Sequence, residues 1–390
     1  MTSERYDVAI VGGGIAGCAA AVTAARRGWA TLLVEERSVL GGTVVAGLQR
    51  FLCGLYGNDP RAPFTVLNAG LSTELLERLK ESAGSDHRLR MGRVEVHGFE
   101  PSHLRGILDA WTSAEPTLHT RRGVRLVGVA LRDQTVKRIR LRQGGVEAEV
   151  EVRALIDCSG EGVAGGLAGA AKVPGDAERQ LAGYSFELDG LRQAETPLEL
   201  AVPYTLRKAV ERGMLPPEFR FTTFSSLPGG TRGICRLALG RDLMTEGSTS
   251  AFSWASQVHA LLAESLETLA DSRITAHSPC VLFRDGGALL GRYVLTETDV
   301  VEGRRFEDAA LKCAWPIEFW HQERGPEYQY VTGGHYEIPV RCLRSAEVDN
   351  LFHAGRCLSA TPRALASCRV AGACLASGEA AAMVVDGTLR

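Results

Sequence analysis

The sequence predicts an α/β fold built on a parallel sheet, and three observations in its first 36 residues carry that prediction. Val8, Ala9, Ile10 and Val11 make the short apolar run that a parallel strand buried on both faces requires. Gly12, Gly14 and Gly17 follow in G-x-G-x-x-G register and open an Ala- and Val-rich stretch long enough for a helix, which Gly28 ends. Thr31 to Val34 gives a second apolar strand closing on Glu35. Strand, glycines, helix, strand and acid in this order form the grammar of a dinucleotide-binding βαβ unit. Gly12 permits the turn out of the strand, Gly14 admits a diphosphate close to the backbone, and Gly17 lets helix and strand approach. Ile15 and Ala16 begin the helix, whose N–H groups and dipole favour phosphate. Glu35 stands where a carboxylate accepts hydrogen bonds from an adenosine ribose. The bland alternative is a βαβ unit with a glycine-rich turn and no ligand.

Composition narrows the classes. The 390 residues are 45% hydrophobic and 23% charged, ordinary for a soluble chain long enough for more than one structural unit. A net charge of −2 gives no electrostatic case for nucleic acid or an anionic membrane. The start MTSERYDVAI lacks a signal peptide's basic and apolar regions, and no stretch has the apolar length of a membrane span. A cytoplasmic protein is expected. The ten cysteines include no C-x-x-C pair, so neither a zinc framework nor a structural disulfide is expected.

Beyond Glu35 the run Glu36-Arg37 leads to Gly41-Gly42-Thr43, a flexible backbone beside the nucleotide site. Phe64 to Lys80 has the period of an amphipathic helix, and so has Pro101 to Ala114. Leu118 to Leu131, Val136 to Leu141 and Val146 to Ala154 are three β-like runs, the last two joined by a turn at Gln143-Gly144-Gly145. Gly160, Gly162 and Gly165 repeat the G-x-G-x-x-G spacing, but only about two helical turns follow before Val173-Pro174-Gly175. A βαβ crossover needs more, so this segment is expected to return to the first cofactor rather than seat NADPH. Tyr184 to Leu188 alternates as a strand, while Leu206 to Met214 and Ala251 to Leu269 have helical period. Trp315, Phe319, Trp320, Tyr328 and Tyr330 form an aromatic cluster, either a core patch or the wall of a site for a flat substrate. Asn350 to Arg356 is again a strand running into glycine, and Ser367 to Val385 is a helix rich in small residues.

Four blocks in this order, GGGIAG, EERSVLGGT, IDCSGEG and NLFHAGRCLSATPRALASCRVAGACLASGEAAA, together resemble the FAD-dependent oxidoreductases with a glutathione-reductase type of cofactor domain, as found in a broad bacterial family. The resemblance covers nearly the whole chain. It implies a Rossmann-like FAD-binding domain of parallel sheet, helices and a small antiparallel sheet, with an α+β substrate domain inserted. The expected division is 1–182 (including a pocket segment near 43–98), 183–335 and 336–390. Carried over, Gly12, Gly14, Gly17 and Glu35 would hold the adenosine half of FAD. Gly41 and Gly42 would lie against phosphates or flavin, and backbone near Val124 would meet the adenine. Ser159 and Gly160 would approach the diphosphate, Gly355 and Arg356 the ribityl chain, and Arg369 and Val370 the flavin's pyrimidine end. Ser159 and Glu161 stand where the family usually has Thr and Asp, and Ala371-Gly372-Ala373 where bulkier residues are common.

The activity so implied is oxidation of a small organic molecule by hydride transfer to flavin, with O₂ or NAD(P)H as the outer redox partner. Two alternatives stand beside it: a monooxygenase using reduced FAD and O₂, and a non-catalytic FAD-binding scaffold. The W-x-W-x-I-P block of flavin halogenases is absent. The family does not supply catalytic residues. His335, Tyr336 and Arg341 are candidates from their place around the IPVRCL strand, His335 as general base and Arg341 as a carboxylate clamp. Cys53 in FLCGLYG either faces the flavin or is an inert buried thiol.

Overall fold

The computed structural model describes residues 4–59, 61–83, 86–175, 179–193, 196–240, 243 and 248–390. β1 (Glu4–Val11), α1 (Ile15–Arg26) and β2 (Thr31–Glu35) form the expected βαβ unit, with Val8 paired to Thr31 and Val11 to Val34 in parallel. Then come α2 (Gly42–Ala46), β3 (Phe51–Cys53), α3 (Leu71–Ala83), β4 (Arg88–Met91), β5 (Val94–Gly98) and α4 (Pro101–Ala114). β6 (Leu118–Arg122) adds in parallel to β2, and β7 (Arg125–Arg132), β8 (Thr135–Gln143) and β9 (Val146–Asp157) form an antiparallel meander. β9 does double duty. Its first half pairs with β8, while Val150 to Asp157 pairs with β1 in parallel and so carries the meander into the main sheet.

After α5 (Val163–Leu167), β10 (Ala182–Asp189), α6 (Leu198–Glu211), β11 (Thr223–Ser226), β12 (Arg232–Leu239), α7 (Ser248–Ser265) and β13 (Arg273–His277) build a four-stranded antiparallel sheet covered by two helices. α8 (Glu297–Val301), β14 (Ala309–Cys313), β15 (Ile317–His321), β16 (Gly325–Gln329) and β17 (Tyr336–Pro339) form a further layer, with β14 on β17 and β15 on β16. β18 (Leu351–His353) returns in parallel to β9, and α9 (Pro362–Cys368) and α10 (Ala371–Leu389) end the chain. The main sheet thus has the order β6-β2-β1-β9-β8-β7, with β18 on β9. α1, α3, α4 and α10 bury one of its faces, through residues such as Ala20, Leu75, Trp111 and Leu375.

Four boundaries differ from the sequence reading. The helix expected over Phe64 to Lys80 starts only at Leu71, because Phe64 and Gly70 both take left-handed backbone, at φ 56 and 75. The run Leu118 to Leu131 is two strands in different pairings, divided at Gly123 with φ 67. The helix expected from Leu206 begins eight residues earlier and contains Pro203, because Leu198, Val202, Leu206 and Ala209 bury one continuous face. The single helix expected over Ser367 to Val385 is two, α9 and α10, bent by 95°. Arg369 closes α9, and extended Val370 (φ −72, ψ 157) is the N-cap of α10. That turn brings Gly372 onto Gly54, where an added Cβ would lie 2.4 Å from the Gly54 carbonyl oxygen.

Among the described residues no single helix is long and apolar enough to cross a membrane.

Candidate functional site

The four sequence blocks meet at the first turn of α1. Gly12 leaves β1 at φ 101, and a Cβ there would stand 2.5 Å from the carbonyl oxygen of Cys158, so the turns after β1 and β9 touch. Gly41 donates its N–H to the Gly13 carbonyl at 2.8 Å and bridges to Gly14. A Cβ on Gly355, just past β18, would lie 3.0 Å from that of Ala16. Glycine turns at the carboxyl ends of β1, β9 and β18 thus converge, the position where open α/β sheets bind ligands. Gly17 would drive a Cβ to 1.8 Å from the Gly12 carbonyl, so it is fixed by helix-on-strand packing. Gly14 is different: a Cβ there meets only the Gly42 Cα at 3.9 Å, leaving open space above the backbone. No side chain caps α1, so its first amides remain available to an anion.

Glu35 is buried at the end of β2 and accepts from the Gly13 N–H at 2.5 Å and the Arg37 N–H at 2.8 Å. It fixes the glycine loop and keeps a second lone pair on each oxygen for a ribose hydroxyl. Val124 donates its N–H to the Glu35 carbonyl at 3.0 Å, placing that backbone beside the acid. Glu36 pairs outward with Arg125, and the Arg37 guanidinium reaches the Cys280 thiol. Thr43 lies in the first turn of α2. Asp157 holds the next turn: it accepts from the Ser159 N–H and hydroxyl at 3.0 and 2.6 Å and from the Gly165 N–H at 3.0 Å. Arg356 binds the Gly160 carbonyl at 3.0 Å, the Phe283 carbonyl and the Glu161 carboxylate, tying that turn to the segment after β13. Gly355 gives its N–H to the Ser377 hydroxyl at 2.9 Å.

The repeated glycines of this second turn face protein. A Cβ on Gly162 would lie 2.6 Å from the Gly287 carbonyl, and one on Gly165 2.4 Å from Leu289. The helix after them is the five residues of α5.

A group of largely buried arginines lies beside this convergence. Arg236, Arg284 and Arg369 retain solvent contact, yet each is buried deeply enough that desolvation lowers its pKa. Burial and the nearby Arg369 charge bring Arg284 to about 10. Arg284 lies 4.3 Å over the Trp320 ring and donates to the Leu181 carbonyl at 2.6 Å. Arg369 donates to Gln180 at 3.3 Å and to the Glu318 carbonyl at 3.4 Å, and its Nε has no partner. Buried Gln180 braces both sides, bonding Asp285 and accepting from the Trp320 N–H at 3.2 Å. Glu318 accepts from the indoles of Trp315 and Trp320 at 3.2 and 2.9 Å. A narrow void of about 30 Å³ separates Gln180, Arg284 and Asp285 from Pro362 and Leu365 of α9. The aromatic cluster therefore divides: Trp315 and Phe319 are core, Trp320 lies under Arg284, and Tyr328 and Tyr330 are exposed. Cys53 is close enough to feel the Glu318 and Arg236 charges, and burial raises its pKa far above an ordinary thiol, so it stays protonated.

The structure gives the three proposed catalytic side chains other partners. His335 shares a hydrogen bond with Arg305 at 3.2 Å, and burial with that cation lowers its pKa. Tyr336 is fully buried with its hydroxyl 2.7 Å from that of Ser367, and its pKa is driven well up. Arg341 lies at the surface, forked onto Asp308 at 2.9 and 3.1 Å. The residues missed were Arg236, Arg284, Gln180 and Glu318. Arg236 did carry a signal, a lone cation inside the apolar run Gly233 to Leu239.

Together these features form a fit to a dinucleotide: an open glycine, an uncapped helix end, a strand-end acid, and a second uncapped helix, α10, beginning beside the cationic Arg369.

The chain matches the family model described as FAD dependent oxidoreductase over residues 7–390. No curated protein matches the sequence. Among solved structures, a triple mutant of the flavin-dependent brominase Bmp2 superposes with a TM-score of 0.52 at 13% identity, covering 98% of this chain and 80% of the other. The p-nitrophenol 4-monooxygenase PnpA of Pseudomonas putida DLL-E4 superposes with a TM-score of 0.51 at 10% identity, over 99% and 81%. At these identities the likeness is one of fold.

Proposed function

The chain belongs to the FAD dependent oxidoreductase family, and from that premise we propose that it dehydrogenates a small organic molecule bound beside Arg236, Arg284 and Arg369. When bound, FAD supplies the two-electron acceptor, taking a hydride at flavin N5. Gly12, Gly14, Ile15, Ala16 and Gly17 would hold the diphosphate at the head of α1. Glu35, Glu36, Arg37 and Val124 would hold the adenosine. Gly41, Gly42, Thr43, Ser159, Gly160, Gly355 and Arg356 would line the path between the halves, and Arg369 and Val370 would meet the pyrimidine end.

The observation that carries the reading is the start of α10. This 19-residue helix has no side-chain cap, and Arg369 stands one residue before its N-cap with no carboxylate partner among the described residues. Helix dipole and guanidinium together stabilise negative charge at that point. Such a site favours the reduced, electron-rich cofactor and therefore favours withdrawing a hydride from substrate. Trp320, braced by Glu318 and Gln180, gives the substrate a rigid apolar surface, and orientation against it is the chain's main contribution to rate.

Anaerobic mixing with a panel of small organic molecules tests the reading. Bleaching of the oxidised flavin by one of them, without added nicotinamide, supports dehydrogenation. A flavin that reacts only when NAD(P)H and O₂ are both supplied places the chain with the monooxygenases instead. Photoreduction with no turnover across the panel supports the scaffold.

A further inference from the structure

The antiparallel sheet β11-β12-β10-β13 has two faces of opposite character. Tyr184, Phe186, Leu188, Cys235, Leu237 and Leu239 belong to the core beneath α6 and α7. Alternation along paired β10 and β12 turns Ser185, Glu187, Ile234 and Arg236 to the other face. That face is also buried, with Ser185 at 2% exposure and Glu187 at 7%. Buried polar groups need partners. Glu187 has two, Arg50 at 2.7 Å and Arg232 at 3.0 Å. Arg236, directly opposite Ser185, has the Ser225 hydroxyl at 3.1 Å and makes no ion pair among the described residues.

Arg284 reaches the same face from the segment after β13. Its terminal nitrogens lie 3.8 Å from where a Cβ on Gly183 would stand, and Gly183 shares the Ser185 side of β10. Arg284 makes no ion pair either among the described residues. Glu318 and Asp285 act on it through their charge but neither pairs with it, their oxygens being taken by two indoles and by Gln180. Desolvated guanidinium groups without a direct ion pair are costly, and their fork matches a carboxylate bidentately.

We propose that this sheet face is the anion-binding part of the substrate site, and that the substrate carries a carboxylate clamped by Arg236, with Arg284 a second cation on the same face. The proposal rests on the reading of the region around these arginines as the substrate site. It makes Arg236 a specificity-determining residue.

The test titrates the FAD-loaded protein with benzoate and phenylacetate, and with benzamide and phenylacetamide, following the flavin difference spectrum. The acids should perturb the flavin and the isosteric amides should not. Arg236→Gln should weaken acid binding by about tenfold or more while retaining FAD, and Arg236→Lys, which keeps the charge but not the fork, should fall between. Three results would overturn the proposal: no acid perturbs the flavin, the amides bind as well as the acids, or Arg236→Gln folds but loses FAD, which would give the guanidinium to the cofactor. The titration reads binding without turnover, so it fails independently of the anaerobic bleaching that tests dehydrogenation.

Discussion

Gly14→Val separates the cofactor from the fold. Gly14 has φ −68 and ψ 179, a backbone any residue adopts, and its added Cβ would meet nothing nearer than the Gly42 Cα at 3.9 Å. The variant should therefore fold, at a cost of no more than about 1 kcal/mol for a poorer N-cap. The new side chain fills the space through which a phosphate must approach the first amides of α1. Hydrogen bonds to a charged group contribute about 1.5–3 kcal/mol each, so losing two costs about 3–6 kcal/mol, on the order of 10² to 10⁴ in Kd. Desalted protein should be colourless, and titration of the apoprotein with FAD should show that weakening, while the apoprotein's Tm stays near that of wild type. Gly17→Ala is the control, because its Cβ would lie 1.8 Å from the Gly12 carbonyl and should prevent folding. A Gly14→Val protein with full FAD would refute the placement of the diphosphate.

Four further outcomes are expected. His353 is fully buried with neither ring nitrogen partnered, and desolvation lowers its pKa to about 3. The unfolded chain takes up this proton near pH 6.5 and the folded one does not, so stability falls as pH drops from there toward 3. At pH 5 the loss is about 2 kcal/mol. His353→Leu should remove that part of the shift in urea midpoint between pH 7.5 and 5, and an unchanged shift would exclude it. Gly165→Ala should destabilise the fold by about 1–3 kcal/mol through overlap with Leu289, seen as a lower Tm. NADPH should not bind at Gly160, Gly162 and Gly165, and a crystal structure with a nicotinamide nucleotide there would contradict this. Arg369→Gln should lower the flavin potential with FAD retained, each kcal/mol of lost stabilisation corresponding to roughly 20 mV. An unchanged potential would leave only the backbone dipole of α10.

The local grammar of the chain was legible because it is written in short-range chemistry. Apolar runs of strand length, glycines at fixed spacing and an acid at a strand end place β1, α1, β2 and Glu35 without any knowledge of distant residues. The short run after Gly162 likewise showed that the second glycine motif lacked a crossover helix. The break at Arg369 and Val370 was not legible, because both residues tolerate helix and the turn is set by Gly372 meeting Gly54 more than 300 residues away in sequence. The catalytic candidates around β17 were chosen by proximity in sequence, and long-range partners claim them: Arg305, Ser367 and Asp308. Arg236, Arg284 and Arg369 come from three separate segments, β12, the stretch after β13 and the joint before α10, each unremarkable alone. Sequence by itself determined the sheet and the cofactor class, since periodicity and glycine spacing act within a few residues. Only the tertiary structure decided which charges are buried and left without an ion pair, because desolvation and pairing depend on what the rest of the chain brings alongside.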